Sequence, residues 1–111
     1  MKPEKEMPLY LIKGVVEQPG AITTFEIEQE RAWQLILFLR MNNLVTNDLL
    51  PRKKKDITID FRMTTSDVTD EGFEVLKLGL YKWIDSNDSI YLTKMKMGVL
   101  EKALEKVRLK H

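Results

Sequence analysis

The chain contains no cysteine, and its one histidine is His111. Histidine is the side chain whose ordinary pKa lies near neutral pH, and cysteine is the strongest intrinsic nucleophile and a soft metal ligand. A Ser-His relay, a cysteine nucleophile and a thiolate metal site are therefore excluded from the folded interior. The five glycines are scattered, so there is no glycine-rich phosphate-binding loop. We expect no cofactor, no metal ion and no enzymatic activity; catalysis by carboxylates or lysine is the remaining alternative.

Long apolar runs are also absent, since the longest covers only residues 35–39. A membrane-spanning helix needs about 20 apolar residues, so the sequence predicts no membrane segment. Residues 1–8 alternate charges and contain two prolines, which is unlike the apolar core of a signal peptide. Eighteen basic against seventeen acidic residues give a net charge of +1, which provides no overall attraction to nucleic acid. These features favour one cytoplasmic domain over residues 1–111, with flexible ends at 1–7 and 109–111.

The N-terminal third begins with an apolar segment at 9–16, followed by a turn signal at 17–20. Residues 21–27 then alternate loosely between apolar side chains and threonines, which is typical of the second strand of a hairpin. The competing prediction is a helix that begins near Thr24, because Thr23 and Glu26 have the spacing of a capping box. Both alternatives remain open at the level of the sequence.

Two further elements follow. Residues 28–43 are rich in leucine, which favours a helix, and the run at 35–39 places apolar groups around nearly its whole circumference. Such a helix is either central in the domain or covered by a second subunit. Residues 57–63 alternate apolar and polar side chains, which predicts a strand with one buried face.

The C-terminal third has the pattern of two amphipathic helices. Thr69 is a suitable N-cap for a helix to about residue 85, 86–89 form a break, and a last helix extends from about Thr93 to residue 109. Gly79 and Gly98 lie at similar distances from the break, so we expect them to face each other. The whole pattern predicts a small α+β domain with an N-terminal strand or hairpin, a buried helix, one further strand and a C-terminal antiparallel helical hairpin packed on the sheet.

One candidate site is cationic. The loop before the predicted strand contains four basic residues that could contact phosphates, and lysines of the last helix, among them Lys102 and Lys106, could extend that surface. No aromatic residue is interleaved with the loop to stack on bases, so a solvated loop is the favoured interpretation and nucleic-acid binding the alternative. The possible phosphate contacts are Arg52, Lys53, Lys54 and Lys55.

The other candidate site is apolar. Leu78 and Tyr81 point away from the predicted core face of their helix and are neighbours on its surface, because they lie three residues apart. Together with the helix at 28–43, they provide more apolar surface than a minimal monomer needs, and exposed patches of this kind mark interfaces. We therefore expect a protein-interaction module, such as an adaptor, immunity-type protein or subunit, whose partner is another protein or a second copy in a homodimer. The expected interface residues are Leu78, Tyr81, Leu35, Leu37 and Phe38.

Overall fold

A computed structural model describes residues 8–20, 23–46, 49–86 and 96–110. The predicted flexible segment 1–7, residues 87–89 of the predicted break at 86–89, the predicted helix start at 93–95 and His111 lie outside these residues. Ser86, the first residue of that break, belongs to the helix before it. The described part is a small α+β domain, as the sequence predicted. Its elements are β1 (Pro8–Leu11), α1 (Ile12–Val16), α2 (Phe25–Met41), a 3-10 turn (Lys54–Asp56), β2 (Arg62–Thr64), a second 3-10 turn (Thr65–Asp67), α3 (Asp70–Ser86) and α4 (Gly98–Leu109).

The sheet consists of β1 and β2, which pair in an antiparallel manner with Leu11 opposite Arg62. The predicted strand at 57–63 was wrong over most of its length, because only its last two residues belong to β2. A turn precedes them, in which the Phe61 N–H donates to the Thr58 carbonyl at 3.0 Å. The four-residue β1 offers no partner for a longer strand. The alternation before β2 reflects burial, since Ile57 is buried and Ile59 is partly buried against the core.

Of residues 21–27, the structure describes 23–27, and none of these is in a strand. Over them the hairpin interpretation was wrong and the competing helix was correct. Helix α2 begins at Phe25, and the Thr24 hydroxyl accepts a hydrogen bond from the Ile27 N–H at 3.4 Å. Thr24 is therefore the N-cap, one residue later than the predicted capping box. Thr23 instead donates its hydroxyl hydrogen to the Glu28 carboxylate at 2.7 Å.

Helix α2 forms the centre of the domain. Its buried side chains recur at helical spacing along one stripe, namely Glu28, Arg31, Ala32, Leu35, Ile36, Phe38 and Leu39. The helix ends where Asn43 adopts a left-handed conformation with φ of 58°. The Leu44 N–H then donates to the Leu39 carbonyl at 2.8 Å and the Asn43 N–H to the Arg40 carbonyl at 3.2 Å, which is a Schellman motif.

Helices α3 and α4 pack side by side in opposite directions, as the sequence predicted. Near one end the Trp83 indole N–H donates to the Lys96 carbonyl at 2.9 Å, and near the other Arg108 pairs with Glu71 at 3.2 Å. Thr69 is the N-cap of α3, because its hydroxyl accepts from the Gly72 N–H at 2.9 Å. These contacts at both ends fix the register of the two antiparallel helices.

The predicted contact between Gly79 and Gly98 was wrong. A Cβ atom built on Gly79 would lie 2.9 Å from the Ala103 Cβ, whereas one built on Gly98 meets nothing within 4 Å. The reason is that α4 begins only at Gly98, with Met97 as its N-cap, so Gly98 occupies the first turn instead of the middle of the interface. Gly79 does allow close approach of the helices, but its partner is Ala103. Within the segment predicted to be flexible, Leu109 is the last residue of α4.

Candidate interaction surface

The outer face of α3 exposes Leu78 and Tyr81, as the sequence predicted. Their exposed fractions are 41% and 77%, which are high for large apolar or aromatic side chains. The opposite face of the same helix buries residues that include Val75, Leu80 and Trp83. Because Leu78 and Tyr81 are three residues apart, they form one continuous patch along the helix.

A groove lies beside Leu78, between α3 and α4. Gly79 and Ala103 both line it, at the point where the absence of a side chain on Gly79 lets α4 approach α3 closely. The groove has a volume of about 170 Å³ and is open to solvent. Its lining residues are Leu78, Gly79, Lys82, Val99, Lys102, Ala103 and Lys106. We call this surface the lysine-rimmed groove.

The three lysines of the groove come from both helices and are all exposed: Lys82, Lys102 and Lys106. Within the part of the chain that the structure describes, none of them forms an ion pair with a carboxylate. Other cations of the same two helices do, since Lys77 lies 3.8 Å from Glu74 and Arg108 lies 3.2 Å from Glu71. The lysine-rimmed groove therefore combines apolar walls with three lysines that form no ion pair with a described carboxylate.

The predicted interface residues of α2 do not belong to this surface. Leu35 is fully buried and Phe38 is 6% exposed, and both pack in the core of this chain. Leu37 is only partly exposed. Of the two explanations for the apolar run, a central position in the domain is therefore the one that holds. The assignment of Leu35 and Phe38 to an interface is corrected because side chains that the fold itself buries are not accessible to a partner.

The basic loop is attached to α2 through its backbone. The Arg40 guanidinium donates to the carbonyls of Leu50 and Pro51 at 2.7 and 2.8 Å. The Gln29 side-chain amide donates to the carbonyls of Lys54 and Ile57 at 3.1 and 3.0 Å. These bonds fix the path of the loop on the surface of α2.

One of the loop cations is already paired, because the Lys54 Nζ lies 2.8 Å from a Glu30 carboxylate oxygen. Burial acts to raise the pKa of Glu30, but hydrogen bonds from Lys54 and Gln34 and the charge of Lys54 outweigh it and lower that pKa. Arg52, Lys53 and Lys55 are exposed. Phosphate binding by Arg52, Lys53, Lys54 and Lys55 stays a prediction, with the Lys54 charge partly balanced by Glu30.

A buried polar cluster links β1 to α2, and the sequence did not predict it. The Glu28 carboxylate is fully buried and accepts hydrogen bonds from the Tyr10 hydroxyl and from the Arg31 guanidinium, the latter at 2.7 Å. Burial raises the pKa of Tyr10, and the charge of Glu28 and the hydrogen bond to it act in the same direction. The available signal was that Glu28 and Arg31 lie on the same helical stripe as Leu35. Because its charges are mutually paired and enclosed, we assign the cluster a structural role.

Within the described ranges, no group of three or more acidic or histidine side chains is placed to hold a metal ion. No described helix combines the length and the apolar character needed to cross a bilayer. Compared with known proteins, the chain matches no family model, no curated protein sequence and no solved structure.

Proposed function

We propose that this protein is a non-catalytic protein-interaction module that binds its partner through Leu78, Tyr81 and the lysine-rimmed groove. The observation that carries the proposal is the exposure of two large side chains, one apolar and one aromatic, side by side on a helix whose opposite face is well packed. A partner that covers them gains hydrophobic free energy at about 25 cal/mol per Å² of apolar surface. A reducing compartment suits a chain without cysteine, and on that ground we place the protein in the cytoplasm.

Tyr81 is the residue from which we expect the largest contribution. Tyrosine is enriched among the residues that dominate binding energy at interfaces, where its truncation costs about 2 kcal/mol or more. It carries a large apolar ring and a hydroxyl that finds a partner at the edge of a contact. Leu78 joins this ring to the groove, so the surface has an aromatic anchor beside an apolar depression.

The proposal is tested by panning a random peptide display library on the wild-type protein and on the Leu78→Asp/Tyr81→Asp variant. We expect sequences enriched on the wild type to lose binding to the variant, because two buried carboxylates at the interface would lack partners. The matched control is Leu49→Asp, which introduces the same charge at a leucine that is 86% exposed elsewhere on the surface. Peptides that bind both variants equally well, or no enrichment on any of the three proteins, would contradict the assignment.

Self-association is the alternative form of this interaction, because the apolar surplus of the sequence predicted a homodimer. Analytical ultracentrifugation of the wild type and of Leu78→Asp/Tyr81→Asp addresses it directly. A dimer that dissociates in the variant supports a second copy as partner at this surface. A wild-type monomer at high concentration removes the homodimer and leaves a different protein as the partner.

A further inference from the structure

We propose that the lysine-rimmed groove binds an acidic amphipathic helix of a partner protein. This inference rests on the proposed function, because it names the partner chemistry for the same surface. Two properties of the groove point to it together, namely the three lysines and the apolar walls between them.

The charge of the groove selects the sign of the partner. Lys82 extends from α3, and Lys102 and Lys106 extend from α4, so cations flank the depression from both sides. No described carboxylate forms an ion pair with any of them. Glutamate or aspartate side chains on a partner complement this arrangement, and complementary rim charges raise the association rate and reject partners of the wrong sign.

The apolar walls select a partner that also carries hydrophobic side chains. Leu78, Val99 and Ala103 line the groove between the lysines. Its volume of about 170 Å³ is smaller than the roughly 300–1,000 Å³ typical of small-molecule sites. A depression of this size suits individual side chains of a larger partner. A phosphate backbone would engage the lysines but would gain nothing from the apolar walls.

The spacing of the groove's side chains along α4 favours a helical partner. Along α4, Val99 and Ala103 are one turn apart, and so are Lys102 and Lys106, which gives a repeat of about 6 Å. A partner helix with apolar residues at positions i, i+3, i+4 and i+7 presents side chains at a similar repeat. The walls are two helices with internally bonded backbones, so they offer no open sheet edge to which a partner strand can add.

A second copy of this chain is a poorer occupant. Most dimers are symmetric, and a symmetric interface places the same patch of both subunits face to face. Six lysines from two grooves would then converge, and like charges across an interface oppose association. An acidic partner removes this repulsion and balances the charge.

The test uses two helix-biased peptide display libraries with the same leucine stripe at i, i+3, i+4 and i+7. In one library the flanking positions carry only Asp or Glu, and in the other only Lys or Arg. Each is panned on the full-length wild type, on Lys82→Glu/Lys102→Glu/Lys106→Glu and on Lys82→Gln/Lys102→Gln/Lys106→Gln. Lys53→Glu/Lys55→Glu is the matched control, because it reverses two exposed lysines outside the groove. Circular dichroism verifies that every variant is folded.

We expect the acidic library to be enriched on the wild type and on the loop control, and the basic library not to be. Peptides from the acidic library should bind about tenfold more weakly to the Gln variant, and the Glu variant should prefer the basic library. Equal enrichment of both libraries on the wild type would overturn the acidic partner. It would leave the proposed function intact if binding still required Leu78 and Tyr81.

Three other outcomes also overturn the proposal. The first is no enrichment of the acidic library on the wild type. The second is steeply salt-dependent binding of a single-stranded DNA oligonucleotide that is lost in the Glu variant, which would assign the lysines to nucleic acid. The third is a homodimer that the Leu78→Asp/Tyr81→Asp variant disrupts, which would assign the surface to a second copy. The random-library experiment on Leu78→Asp/Tyr81→Asp decides the proposed function separately from all of these.

Discussion

The contact between Gly79 and Ala103 leads to a quantitative prediction, because one methyl group decides how closely α3 and α4 approach. A Cβ atom on Gly79 would lie 2.9 Å from the Ala103 Cβ, whereas carbon atoms in favourable contact are about 3.5–4.0 Å apart. In Gly79→Ala the helices must therefore separate by roughly 0.6 Å or more. Overpacking of this kind costs about 1–3 kcal/mol, and the better helix propensity of alanine offsets about 1 kcal/mol. We expect a net loss of about 1 kcal/mol in the free energy of unfolding.

The reverse change on the partner helix supplies the other half of the experiment. Ala103→Gly loses about 1 kcal/mol of helix propensity and about 0.8 kcal/mol from one buried methyl group, because Ala103 is only 4% exposed. In the double variant Gly79→Ala/Ala103→Gly, the methyl group moves from α4 to α3 and the propensity effects cancel. We expect the double variant to be less stable than the wild type by no more than about 1 kcal/mol, so the two positions couple by about 2–3 kcal/mol.

Urea denaturation followed by tryptophan fluorescence measures these differences, since Trp83 is fully buried and donates its indole N–H to the Lys96 carbonyl. Each 1 kcal/mol shifts the midpoint by about 0.3–1 M at typical slopes. Gly98→Ala is the control, because a Cβ atom there meets nothing within 4 Å; we expect it to be as stable as the wild type or up to about 1 kcal/mol more stable, from helix propensity alone. If the effects of Gly79→Ala and Ala103→Gly add to within about 0.5 kcal/mol, the steric explanation of the interface is refuted.

Three further predictions concern the charged groups. Glu28→Ala should destabilise the fold by about 3–5 kcal/mol, because it leaves the buried Arg31 guanidinium without its carboxylate; a loss below about 1 kcal/mol in urea denaturation would contradict the pairing. The pKa of Tyr10 is raised in the folded state, so its contribution to stability is complete below the ordinary tyrosine pKa of about 10 and declines as the pH rises beyond it. The unfolding free energy of Tyr10→Phe should therefore fall less steeply above about pH 10 than that of the wild type. Equal slopes for the two proteins would contradict this role of Tyr10. The pKa of Glu30 is lowered, so its contribution is present above the ordinary carboxylate pKa and is lost as the pH falls through the folded value. Because Glu30 and Lys54 are partly exposed, Glu30→Gln should lower the free energy of unfolding by less than about 1 kcal/mol at neutral pH. A larger loss would contradict the description of this ion pair as a weak surface contact.

The helices were the most predictable part of the fold, because their signals are local. The stripe of α2, the Thr69 cap and the core face of α3 all depend on residues within a few turns of one another. The same locality placed Leu78 and Tyr81 on the surface. Sequence spacing alone was sufficient for these features.

The strands and the contacts between helices were less predictable, because each depends on a distant partner. The extent of β2 is set by β1, which lies about 50 residues earlier in the chain. The pairing of Gly79 with Ala103 depends on where α4 begins, and a shift of that start from residue 93 to Gly98 changes which residues meet. A helical stripe drawn from sequence does not supply this register.

The candidate surface combined predictable and unpredictable components. The exposure of Lys102 and Lys106 on the last helix follows from its amphipathic pattern, since Leu100 and Leu104 occupy the opposite face. Their convergence with Lys82 does not, because it requires the packing of α4 against α3 at Gly79. The burial of Glu28 was unpredictable for a related reason. A charged residue in a helix is usually solvent-exposed, and only the tertiary structure shows which residues cover it.

The pairing of β1 with β2 has a consequence for the order of assembly. Closing a loop of about 50 residues costs conformational entropy before β1 can pair with β2, whereas α2, α3 and their caps form from neighbouring residues. Tyr10, which β1 contributes, covers the Glu28 carboxylate. We therefore expect β1 to dock late in folding and to detach early in partial unfolding, admitting water to Glu28 while the helices remain packed. Faster hydrogen exchange of the β1 amides than of the α2 interior would reveal this hierarchy.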